Sequence, residues 1–150
     1  MTLSLFLHVL SVVVWVGGMF FAYMALRPVA ASLLEPPQRL TLWAGVFDRF
    51  FPWVWVAVVL ILTTGLHMIA LLGGASAPLY ALGMFALGTV MMLIFGHVFF
   101  SPYRKLKRAV AAQDWKAGGA ALGQIRQLIG INLSIGLATI AVVYLGRLFA

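Results

Sequence analysis

Residues 7–28 read LHVLSVVVWVGGMFFAYMALRP, and before Arg27 nearly every side chain is at home in hydrocarbon. The exception is His8, followed seven residues later by Trp15 and then by the Gly17–Gly18 pair. An imidazole in an apolar medium is costly unless it is hydrogen-bonded or bound to something. The stretch also has the length to cross a bilayer, for which about 20 mostly apolar residues suffice. It therefore raises the questions of fold and of function together.

The rest of the chain answers the first. Of its 150 residues, 64% are hydrophobic and 9% charged, against roughly 25% charged in a soluble domain. This is the composition of an integral membrane protein. Cysteine is absent, which excludes disulfides, zinc–thiolate sites and iron–sulfur clusters. The N-terminal segment lacks a basic leader and a small-residue cleavage site, so the first apolar run is expected to be a permanent span.

Four runs are long enough to cross: approximately 3–26, 51–72, 79–100 and 128–149. Only helices satisfy the backbone in lipid at this length, so an all-α, four-helix membrane bundle is expected, as one domain over 1–150. Pro28 and Pro102 are expected to stop the first and third helices. Gly73, Gly74 and Pro78 mark a tight turn between the second and third spans.

Four spans put both termini and the 73–78 turn on one side, with a single basic residue, Arg147. The other side holds Arg27, Arg39, Arg49, Arg104, Lys105, Lys107, Arg108, Lys116 and Arg126. Nine against one predicts that the two longer connections are cytoplasmic and that the termini face outward, the periplasmic side of a bacterial inner membrane. EPPQRLTLWAGVFDRF and YRKLKRAVAAQDWKAGGAALGQIRQL read as amphipathic interfacial helices, the second breaking at Gly118 and Gly119. The net charge of +7 follows from this topology and from anionic lipid, so no nucleic-acid partner is needed.

The three histidines, His8, His67 and His97, all fall within spans. Helix direction puts His8 and His67 each about two turns in from the outer edge, close to level at ~1.5 Å rise per residue. His97 sits near the cytoplasmic end of the third span. On the first helix His8, Ser11, Val12, Trp15, Gly18, Met19 and Ala22 share a face; on the second, Leu60, Thr63, Thr64, His67, Leu71 and Gly74 do. Small residues such as Gly18 can leave room for a flat ligand on which Trp15 would stack, and Thr63 and Thr64 can support His67. Two imidazoles at one depth without a carboxylate suit haem iron as axial ligands. They equally suit copper, for which Met68, Met19 and His97 are further donors. Arg147 is placed to pair with a haem propionate. Either histidine can also serve only as packing glue. Asp48 with Arg49 reads as an interfacial ion pair, and Asn132 as a donor between helices. No nucleophile–base pair, carboxylate dyad or phosphate loop is present, so hydrolytic chemistry has no support.

FLHVLSVVVWVGGMFF resembles the opening of the CopD-type copper-resistance membrane domain, in which a histidine is followed by W-x-G-G. FDRFFPWVWVAVVLILTTGLHM is similar to that family's next segment, an F-x-R entry and an apolar run ending in T-G. More faintly, the first span and FGHVFFSPYRKLKR, with His97, look like segments of HemJ-type protoporphyrinogen oxidases. The first resemblance implies copper handling. The second implies a b-type haem on His8 with redox chemistry, although LYALGMFALGTVMMLIFGHVFF lacks the intramembrane basic residues of that type. The stand-alone four-helix unit leads to the expectation of a haem b protein with His8 and His67 as ligands, serving electron transfer. Copper binding or transport is the alternative, and a structural subunit of a larger complex or homo-oligomer the third.

Overall fold

The structure, a computed structural model, describes residues 1–148, with the side chain of Arg147 outside the described part. Helix α1 (Thr2–Phe21) continues through a π-helical turn (Ala22–Leu26) into α2 (Arg27–Leu33). Then come α3 (Pro36–Leu71), α4 (Leu79–Phe100), α5 (Pro102–Ala111) and α6 (Trp115–Leu148). Among the described residues four helical stretches are long and apolar enough to span a membrane. Phe6, Val13, Phe21, Leu93 and Leu145 are exposed on the bundle exterior, an apolar surface whose natural solvent is the lipid bilayer.

Three boundaries differ from the sequence-based expectation. Pro28 does not stop the first helix, which runs on to Leu33. Just before it the backbone widens: the Arg27 N–H bonds the carbonyl of Ala22, five residues back. The π turn thus makes room for a ring that would collide with the carbonyl of an ordinary turn. The helix likewise does not break at Gly118 and Gly119, which lie inside α6. The break comes at Gln113, in the left-handed region with φ 54°. Asp114 then caps the new helix, its Oδ1 accepting the Ala117 N–H at 3.1 Å. Gly118 sits instead at a close helix contact: a Cβ there would lie 3.1 Å from Leu40 Cδ1. Finally, the second span is the C-terminal part of a single helix, α3, whose N-terminal part is the first connection. Pro102 does interrupt, with Ser101 as the hinge between α4 and α5.

The long helices exceed the ~30 Å hydrocarbon thickness, and they project at the basic end of the bundle. There a ladder of rings holds three helices together. Phe47 and Phe51, one turn apart on α3, stack at 4.9 Å and 11°. Phe51 meets Tyr103 of α5 edge-on at 4.8 Å and Phe95 of α4 at 5.4 Å. Such pairs contribute about 0.5–1.5 kcal/mol each beyond buried area. Asp48 closes the ladder. It accepts the Tyr103 hydroxyl and pairs with Lys107 at 3.0 Å, so its partners lie on α5. Arg49 is not among them, which corrects the expected neighbour pair. Asn132 bonds between helices as expected, its Nδ2 donating to the Met91 carbonyl at 3.3 Å.

Gly18 is the tightest point between α1 and α3. A Cβ there would fall 2.3 Å from Phe50 Cζ and 2.5 Å from Cε2, whereas Gly17 has nothing within 4 Å. Gly18→Leu is expected to destabilise the protein by about 1–3 kcal/mol through overpacking, and Gly17→Leu to be close to neutral. Detergent-denaturation midpoints of the two variants check this; equal midpoints would contradict it.

Candidate functional site

Away from the basic end, the seam between α1 and α3 carries two of the three histidines. His8, Ser11, Trp15 and Met19 form the buried face of α1. The facing stripe of α3 includes Ala57, Val58, Thr64, Gly65 and Met68. The ring faces Gly65 across the seam: a Cβ there would lie 3.5 Å from His8 Cε1, an ordinary contact.

Each histidine reaches a hydroxyl on the other helix. His8 Nδ1 lies 2.9 Å from Thr64 Oγ1, a buried contact. His67 Nδ1 lies 2.8 Å from Ser4 Oγ. Ser4 and His8 are one turn apart on α1, and Thr64 and His67 nearly so on α3, so two rungs of opposite sense cross the seam. The expectation that the histidines are level is therefore corrected: His67 lies about one turn, ~5 Å, nearer the end that carries the termini. Antiparallel helices with a hydroxyl one turn from each imidazole make this staggered exchange.

Thr64 decides the state of His8. Its hydroxyl proton is committed to its own helix, donated to the Leu60 carbonyl. Its oxygen can then only accept from the ring, which assigns the proton of His8 to Nδ1. The Ile61 carbonyl, 3.4 Å away, is a second acceptor on the same helix for that hydroxyl. Nε2 is left with its lone pair, the arrangement in which a histidine whose other nitrogen is held by a neighbour ligates a metal.

The other candidates divide. Met68 is buried one turn beyond Thr64 on the same stripe of α3. Met19 is buried deeper on α1. Thr63 is exposed and bonds the Val59 carbonyl at 2.8 Å, so it does not support either histidine. His97 is exposed at the basic end of α4, remote from the pair. Arg147, expected near a propionate, has its side chain outside the described residues. Ser4 was not singled out from the sequence; the four-residue Ser4–His8 spacing was the signal for it. Among the described residues no three His, Cys, Asp or Glu side chains cluster.

The positions expected to flank a flat ligand are occupied by side chains. Trp15 packs edge-on against Phe95 at 6.1 Å, and the Phe50 ring fills the space beside Gly18. The cavity that Trp15, Met19 and Asn132 line is ≈ 30 Å³, room for about one or two waters. Both expected ligand-stacking positions are thus taken by side chains of the bundle itself.

A family model described as copper resistance protein D matches residues 44–145, which include Thr64, His67 and Met68. No curated protein and no solved structure matches the chain.

Proposed function

We propose that this chain, which belongs to the copper resistance protein D family, is a multi-pass membrane protein that takes up copper at the α1–α3 seam. His8 and His67 are the ligands, and Met68, buried on the same stripe of α3, is the soft donor. The observation that carries this reading is the Thr64 rung, which turns the Nε2 lone pair of His8 into a ready donor without a preceding proton loss. Imidazole and thioether together suit Cu(I), whereas a hard ion such as Mg²⁺ prefers oxygen ligands. Copper here is cargo, held at the end of the bundle that bears the termini. The excess of basic residues at the opposite end makes that end cytoplasmic, so the copper-binding end faces out from the inner membrane of a bacterium.

The test is a Cu(I) titration of the detergent-purified protein against a competing chromophoric chelator. One copper per chain, withdrawn from the chelator, is the expected result, and a protein that never competes would end the proposal. Thr64→Val keeps the volume and removes the hydroxyl. It is expected to weaken copper binding about 10–100-fold, the usual effect of losing an outer-sphere partner, and to cost about 1–3 kcal/mol of stability, because the buried His8 N–H loses its acceptor. Unchanged copper affinity in this variant would show that the rung is packing alone.

A further inference from the structure

A second site opens at the other end of the molecule. Between the α1–α2 junction and the first halves of α3 and α6 lies a cleft of ≈ 510 Å³. Arg27, Arg39, Lys116 and Arg126 line it, together with Trp43 and Trp115. None of the chain's three acidic residues does. Asp48 is engaged by Tyr103 and Lys107 on α5, and Asp114 caps α6. Glu35, which precedes the lining Pro36, forms no ion pair among the described residues, so four cations share one opening that no carboxylate lines.

The arrangement is built. The π turn at Ala22–Leu26 offsets the helix at the wall of the cleft and carries Arg27 with it. The Arg27 guanidinium lies 4.3 Å over the Tyr23 ring, and its Nε donates to the Tyr23 carbonyl at 3.2 Å. Arg27 and Arg39 are half-buried, so both give up part of their hydration without an internal counter-charge. Like charges drawn together this way repel, and an anion in the cleft removes the repulsion. The remaining lining is largely aliphatic and aromatic and runs from these cations to Ala22 at the π turn, Phe47 on α3 and Ile129 on α6, where the spanning parts begin. The ligand must therefore be anionic at one end and apolar at the other. The cleft also lies at the basic end, where the helices leave the hydrocarbon and meet the head groups. Basic pockets between spanning helices at this level are suited to anionic lipid head groups.

We infer that this cleft is a specific binding site for an anionic phospholipid, whose phosphate is held among Arg27, Arg39, Lys116 and Arg126 and whose acyl chain leaves past Ala22 and Ile129 toward the bilayer. This inference does not rest on the copper reading, since no residue is shared between the two sites.

Native mass spectrometry of the full-length protein in detergent tests it, with phosphatidylglycerol, phosphatidylcholine and inorganic phosphate as probes. Phosphatidylglycerol is expected to bind as one tightly retained molecule, with an apparent affinity about tenfold or more above that for phosphatidylcholine. The double variant Arg39→Gln with Arg126→Gln is expected to lose at least about tenfold in that affinity, as two near-surface charges should cost. Lys105→Gln with Arg108→Gln, exposed on α5 outside the cleft, is expected to leave it unchanged and controls for general charge. If the double variant proves unstable, Arg126→Gln alone, at an exposed position, is read instead. Equal losses in the α5 control, equal binding of phosphatidylcholine, or retention in the cleft variants would each overturn the assignment. Inorganic phosphate competing as well as the lipid would overturn it in favour of a free-anion site.

Discussion

Replacing His8 by Ala is expected to reduce copper affinity by more than about 100-fold, beyond the loss predicted for its outer-sphere partner Thr64. The reason lies in how this imidazole is prepared. It is buried, its ring rests against Gly65, and Thr64 fixes its tautomer, so no exposed side chain can replace it by swinging in. His67 is exposed and bonded to Ser4. His67→Ala is accordingly expected to cost less than His8→Ala, because water or Met68 can complete a copper coordination left one ligand short. The same competition titration, run on wild type and both variants, measures the order. A His67→Ala effect larger than that of His8→Ala would mean that copper enters at the exposed rung and that His8 holds helices only. Destabilisation is a separate matter. His8→Ala removes one buried hydrogen bond and leaves Thr64 able to serve its own helix, a loss of about 1–3 kcal/mol. A denaturation curve on the same preparation therefore separates unfolding from lost ligation.

The second large effect is expected at Leu106. This residue of α5 is fully buried, at 0% exposure, in a helix whose other face is Arg104, Lys105, Lys107 and Arg108. Leu106 with Tyr103 is what fastens the amphipathic α5 to α3 and α6. Leu106→Ala is expected to cost about 2–5 kcal/mol, the range for emptying a well-packed leucine site, whereas Lys105→Ala should stay within about 0.5 kcal/mol. Much of the loss should be local, since few other apolar groups hold this short helix down. Limited trypsin digestion reads it directly: cleavage within the basic α5 should accelerate strongly in Leu106→Ala and not in Lys105→Ala. Equal protection of the two would show that the Asp48–Tyr103–Lys107 contacts suffice to dock α5.

The membrane bundle and its four spans were legible in the sequence, as was the charge asymmetry of its ends. Each depends on local quantities: apolar length and the count of basic residues in short connections. A span must be helical whatever it packs against, because lipid offers its backbone no other partner. The inward face of α1 could be read for the same reason, since His8, Ser11, Trp15 and Met19 follow the helical period and nothing interrupts it. The choice of residues that could ligate a metal was also visible, because polar groups in such a segment are few.

What only the tertiary structure decided is how the helices are rotated and shifted against one another. Periodicity locates the buried stripe of α3 to within about one residue position, and that margin separates Thr63, bonded to its own helix, from Thr64, bonded to His8. The relative shift of α1 and α3 turned a level histidine pair into two staggered rungs. It also filled the space beside Trp15 and Gly18 with Phe95 and Phe50. The cleft at the basic end was equally invisible in sequence. Its four cations come from three helices, and only their packing, with a π turn absorbing Pro28, brings Arg27 and Arg39 to face Lys116 and Arg126. Local sequence sets what each helix can bury, and the close contacts between helices select which of those groups meet.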